Sequence, residues 1–94
     1  MITKIIKDSL RENLKGLGIN VLTDQISLER PANRDHGDWS SNIALVTAKD
    51  AGRQARGLAE EIVNSLTTNL PDGITEVTAA GPGFINFRVS AQLS

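Results

Sequence analysis

The sequence has no cysteine and no tyrosine, and only three prolines, one histidine and one methionine in 94 positions. Without cysteine there is no disulfide to staple the chain and no thiolate to hold zinc, so an apolar core alone must support the fold. This usage fits a reducing compartment, and the expected location is the cytoplasm. A lone histidine makes a metal centre unexpected as well. Long apolar runs are also missing. No stretch approaches the roughly 18 apolar residues of a membrane span. The opening MITKIIKDSLRENL scatters charges among its apolar residues, without the apolar segment or small-residue cleavage site of a signal peptide. No membrane partner is expected.

Nor is there an excess of either charge. Ten basic and eleven acidic side chains give a formal charge of −1, whereas proteins that grip nucleic acid through phosphates alone are clearly basic. The balance suits a module that reads one local feature while other domains supply affinity. Ninety-four residues hold one small domain.

What is present is well patterned. Ile2, Ile5, Ile6, Leu10, Leu14 and Leu17 recur at three- and four-residue steps, which predicts a helix from about residue 3 to 16. Thr3 is its candidate N-cap, and Gly16 or Gly18 its end. Residues 25–30 alternate apolar and polar like a half-buried strand, which Pro31 ends. The loop-forming stretch PANRDHGD follows. Asp38 or Ser40 then caps a second helix, with Ile43, Ala44, Val46, Thr47 and Ala51 facing inward, and Gly52 breaks it. Ala55, Leu58, Ala59, Ile62, Val63 and Leu66 form the apolar stripe of a third helix. Strand-like runs cover 74–79 and 84–89, joined by Ala80-Gly81-Pro82-Gly83. The expected fold class is α+β: a small antiparallel β-sheet with helices packed on one face and the other face open.

Alternation divides the last strand into two rows. Ile85, Phe87 and Val89 suit a core face; Phe84, Asn86 and Arg88 occupy the other. The second row combines an aromatic plane, an amide and a guanidinium, the chemistry that holds one unstacked nucleotide. An aromatic side chain stacks on the base, an amide reads a base edge, and an arginine holds a phosphate. From periodicity alone the plainer reading is preferred, with Phe84 filling a gap at the sheet edge while Asn86 and Arg88 are solvated. Gly81-Pro82-Gly83 lacks the Gly-Lys-Ser/Thr ending of a phosphate-binding loop and precedes a strand, so it is read as a tight turn. In Asp35-His36-Gly37-Asp38-Trp39, the acids are read as turn formers and caps, and Trp39 as an apolar anchor.

Two segments in order, HGDWSSNIAL and AGPGFINFRV, resemble the N-terminal domain of arginyl-tRNA synthetases, as do Ala48-Lys49 and the helix around Leu58-Ala59-Glu60-Glu61-Ile62. The resemblance runs over roughly residues 1 to 90. The chain departs from it at Ala55, where the family often has proline, and at Gly57, a weak helix former. The resemblance implies a domain over residues 1–90, with 91–94 starting a linker to a catalytic domain outside this sequence. It implies that the domain contacts the D-loop of arginine tRNA, with Phe84 and Asn86 holding a base and Gly83 shaping the adjoining turn. Arg88, Arg34 and Arg30 are candidate phosphate contacts from charge and position. The implied partners are arginine tRNA and the catalytic and anticodon-binding domains of the same polypeptide. The full enzyme would use ATP with magnesium to ligate arginine to tRNA. Its His-Ile-Gly-His-like and Lys-Met-Ser-Lys-like signatures are absent from the 94 residues, so neither a cofactor nor a catalytic residue is expected here. The competing reading is a protein-interaction module that docks another domain on its open sheet face.

Overall fold

A computed structural model describes residues 1–91. The linker assignment for 92–94 lies outside the described residues. The chain forms α1 (Ile2–Gly16), β1 (Leu28–Glu29), β2 (Trp39–Ser41), α2 (Ile43–Thr47), α3 (Ala55–Thr67), β3 (Ile74–Ala80) and β4 (Phe84–Val89). Short 3-10 turns at Thr23–Gln25 and Arg34–His36 precede β1 and β2. The four strands form one antiparallel sheet in the order β1-β2-β4-β3. Helices cover one face, so the architecture is the expected α+β.

The inner face is the apolar row foreseen on β4. Ile85, Phe87 and Val89 are buried against Leu58, Ala59, Ile62 and Leu66 of α3. α3 lies against β3 and β4, α1 packs on α3, and α2 bridges α3 and β4. Ile6, Leu10 and Leu14 bring α1 into the same cluster. Each fully buried Leu, Ile or Phe is worth about 1.5–3 kcal/mol over leaving it exposed. The stripes on α1 and α3 therefore supply a large share of what holds a chain without disulfides.

Several local expectations are corrected. α1 starts at Ile2 without a side-chain cap, and the carbonyl of Met1 accepts the Ile5 N–H, so Thr3 sits inside the helix. Its end is as expected: the N–H groups of Gly18 and Ile19 bond back to the carbonyls of Lys15 and Leu14. Residues 25–27 belong to a turn and its exit, which leaves only Leu28–Glu29 in the ladder. Trp39–Ser41 is a strand and not a helix entrance. Ser40 accordingly pairs with Asn86 in the sheet, while Ser41 caps α2, its Oγ accepting the Ile43 N–H at 3.1 Å. α2 is little more than one turn, so Ile43, Ala44 and Thr47 reach the core while Val46 stays 59% exposed.

Candidate functional site

Phe84, Asn86 and Arg88 do share the outer face of β4, but their surroundings differ. Phe84 is 39% exposed, whereas Asn86 is only 7% exposed. What shields Asn86 is the chain after β1. Residues 30–36 rise along one side of the outer face, and Ala80–Phe84 rise along the other. Between them lies a basin of about 470 Å³. Its floor carries Ser40 and Asn86; its loop wall carries Arg30, Pro31, Ala32 and His36; its opposite wall carries Gly81, Pro82 and Phe84. The outer face is thus open above β4 but walled on two sides.

A polar row crosses this floor at one level. Glu29 stands opposite Ser40, Ser40 opposite Asn86, and Asn86 opposite Thr78. The Asn86 amide makes no side-chain hydrogen bond among the described residues, so its donor and acceptor both remain available to a ligand. Ser40 and Glu29 have no local signal of a shared face, because β2 is set by pairing with β1 and β4. The alternation of Leu28-Glu29 was the only local signal for that side of the basin.

The loop wall is held by contacts distant in sequence. The Asp38 carboxylate accepts the Val89 N–H through Oδ2 and an Arg34 guanidinium N–H through Oδ1, both at 2.9 Å. Asp38 is therefore neither a helix cap nor a simple turn former. The Val89 N–H and then Arg34 hold its carboxyl below the usual carboxylate range, against the opposing effect of burial. Arg88 donates to the Asp35 carbonyl at 2.8 Å and pairs with Glu76 at 3.3 Å. Gly37 closes the join: a Cβ there would lie 2.8 Å from the Phe87 carbonyl oxygen, and its φ is +126°. Arg34 and Arg88 thus serve intrachain contacts, and neither lines the basin.

The hairpin wall is fixed to the helices. Gly83 packs so closely on the start of α3 that a Cβ would come within 2.9 Å of the Ala55 Cβ. Arg56 donates to the Gly81 carbonyl at 2.9 Å. The turn therefore rests on the N-terminus of α3 and fills the space where a phosphate would have to enter, so it does not form a triphosphate cradle. Gly83 acts by letting the turn seat and presenting Phe84. Among the described residues, no group of three or more His, Cys, Asp or Glu side chains gathers as a metal site. No described helix is long and apolar enough to cross a membrane.

The fold and basin define a small α+β domain with an aromatic ring on one wall of the basin and an amide on its floor. Comparison with known proteins makes the class specific. The family model "Arginyl tRNA synthetase N terminal domain" matches residues 4–89, and the chain belongs to that family. It is 42% identical over 90 residues to an arginine–tRNA ligase of Paenarthrobacter aurescens, covering 96% of this chain and 16% of that protein. Against an arginine–tRNA ligase of Pseudarthrobacter chlorophenolicus the identity is 40% over the same coverage. In structure it resembles Thermus thermophilus arginyl-tRNA synthetase, with a TM-score of 0.80 at 22% identity over 98% of this chain and 14% of that one. Plasmodium falciparum arginyl-tRNA synthetase gives a TM-score of 0.72 at 22% identity, over 97% and 16% of the two chains. The chain therefore spans 16% of the length of the curated relatives it matches.

Proposed function

We propose that this domain is the tRNA-recognition part of an arginine–tRNA ligase, holding one unstacked base of the D-loop in the basin on the outer face of its sheet. In this reading Phe84 stacks on the base and the Asn86 amide reads its edge, while Gly83 keeps the aromatic wall in place. The observation that carries it is the pairing of a part-exposed aromatic with a sheltered amide that makes no side-chain hydrogen bond among the described residues. Arg34 and Arg88 are engaged by Asp38, Glu76 and the Asp35 carbonyl, and both stand outside the basin lining. The complete ligase would join arginine to its tRNA in the cytoplasm, with ATP and magnesium held outside these 94 residues. Its catalytic and anticodon-binding domains would orient the same tRNA, consistent with a domain of net charge −1 that adds discrimination more than affinity.

The alternative, docking of another protein domain on this face, fits less well. The floor is a row of Glu, Ser, Asn and Thr side chains, whereas the centre of a docking surface is depleted of charge and enriched in aromatics. An NMR titration of this chain with an arginine-tRNA D-arm hairpin at low salt tests the reading. Shifts gathered at residues 81–88 and on Ser40, abolished by changing the loop base, support it. Shifts that ignore the base identity count against it.

A further inference from the structure

One side of α1 carries a line of cations that the core does not use. Lys4, Lys7, Arg11 and Lys15 recur at steps of three and four residues, which places them along one side of the helix. Lys4, Lys7 and Arg11 line one hollow with Asp8 and Asp24, and Arg11 and Lys15 line the next. Arg11 belongs to both, so the two form one groove between α1 and residues 20–25. Lys4 pairs with Asp8 at 2.7 Å, whereas Lys7, Arg11 and Lys15 form no ion pair among the described residues. Glu12 lines a separate hollow with Ser65 of α3. Four cations therefore meet two carboxylates in this groove, on a chain whose formal charge is −1.

The line works against the helix that carries it. Lys7 with Arg11, and Arg11 with Lys15, are like charges four residues apart, which weaken a helix. Lys4 lies in the first turn, where the macrodipole favours acids and no acid is present. The apolar side of α1 is spent on the core through Ile6, Leu10 and Leu14, so none of it is left to enter a lipid surface.

We propose that this groove is a second RNA contact, holding the phosphodiester backbone without regard to sequence. The proposal rests on the reading of the domain as a tRNA-recognition module. Successive cations stand about 5–6 Å apart along roughly 16 Å of helix, a ladder of charge that suits a line of regularly repeated anions. Three of the four are lysine, a point charge that binds phosphate and is depleted from protein interfaces. The groove shares no residue with the basin, so it adds affinity where Phe84 and Asn86 add discrimination. The near-zero net charge does not oppose it. Attraction to phosphate is screened beyond about 10 Å at 0.1 M salt, so the local excess decides.

The test is the salt dependence of binding between this chain and two transcripts, an arginine tRNA and the same RNA with its D-loop base changed. Each phosphate contact contributes about 0.7–0.9 to the slope of log K against log salt. The double variant Lys7→Gln, Arg11→Gln should lower the slope by about 1.4–1.8 on both transcripts. Binding near 0.1 M salt should weaken roughly 25- to 60-fold, the same two contacts expressed at that concentration. Glutamine keeps the helix propensity of lysine and arginine, so the melting temperature should not fall. Arg11→Lys should keep the full slope, because charge and not fork geometry makes the contact. Lys49→Gln, at an exposed cation outside the groove, should keep it too; a slope lowered as much by Lys49→Gln overturns the assignment. If the double variant keeps the full slope while Phe84→Ala weakens binding to the arginine tRNA, the groove is overturned and the base site stands. If the double variant lowers the slope while Phe84→Ala changes nothing, the groove stands and the base site falls. If wild type binds neither transcript at millimolar RNA, both fall.

Discussion

The carboxylate of Asp38 accepts the backbone N–H of Val89 across 51 residues of sequence, at 2.9 Å. This contact joins the loop wall of the basin to the end of its floor strand. With Arg34 on its other oxygen, the carboxylate closes both ends of a short bridge.

Removing it should be costly. Asp38→Ala leaves the Val89 N–H buried without an acceptor, and a loss of about 1–3 kcal/mol in urea unfolding at pH 7 is expected. Asp38→Asn keeps an acceptor and loses only the charge, so its loss should be smaller.

The same group sets a pH dependence. The folded-state pKa of Asp38 lies below its ordinary value of 3.8, so its contribution is complete above that pH. As pH falls through the folded value, the native carboxylate must take a proton and the contribution is lost. The difference in urea midpoint between wild type and Asp38→Asn should therefore shrink from neutral pH toward about pH 2. A difference that stays constant over that range would mean that the charge has no part in the bridge.

Two glycine substitutions should act with opposite sign. Gly37→Ala drives a Cβ to 2.8 Å from the Phe87 carbonyl oxygen at a φ of +126°, and about 1–3 kcal/mol of destabilisation is expected. Gly57→Ala, in exposed helix with nothing within 4 Å of its new Cβ, should stabilise by about 0.5–1 kcal/mol. Thermal melts of the two variants give both signs directly.

Phe84→Ala should weaken tRNA binding by roughly 1–3 kcal/mol through the lost stack. The ring is part exposed, so the melting temperature should change little. A variant that fails to fold would show that the ring supports the core instead.

Asn86→Ala should act on selectivity. The amide reads a base edge in the proposed site, and its loss should reduce discrimination among D-loop bases by roughly 1–3 kcal/mol. Affinity for the disfavoured bases should barely move. Equal weakening across all four bases would refute the edge contact.

Much of this fold was legible because its helices and its last two strands write their burial into local spacing. The period of α1 and α3 and the alternation of β4 need no distant partner to be recognised. Trp39–Ser41 is three residues long and becomes a strand by pairing with Leu28–Glu29 and with Ile85–Phe87, far along the chain. No local pattern announces it. The same holds for the site. Alternation places Phe84 and Asn86 on one face, but the basin around Asn86 depends on a loop brought beside it from the other half of the molecule. Arg88 looks free in the sequence because its partners Asp35 and Glu76 are brought to it by the tertiary fold.

The strand order has a dynamic consequence. β4 is hydrogen-bonded along both edges, to β2 on one side and β3 on the other. Amides that belong to an interior strand open only in large cooperative events, whereas those on short rim elements fray readily. Asn86, paired on both edges, should therefore exchange slowly with solvent whether or not RNA is present, and faster exchange is expected at Phe84, which is paired only with Ala80. A nucleotide entering the basin would therefore meet a stiff floor.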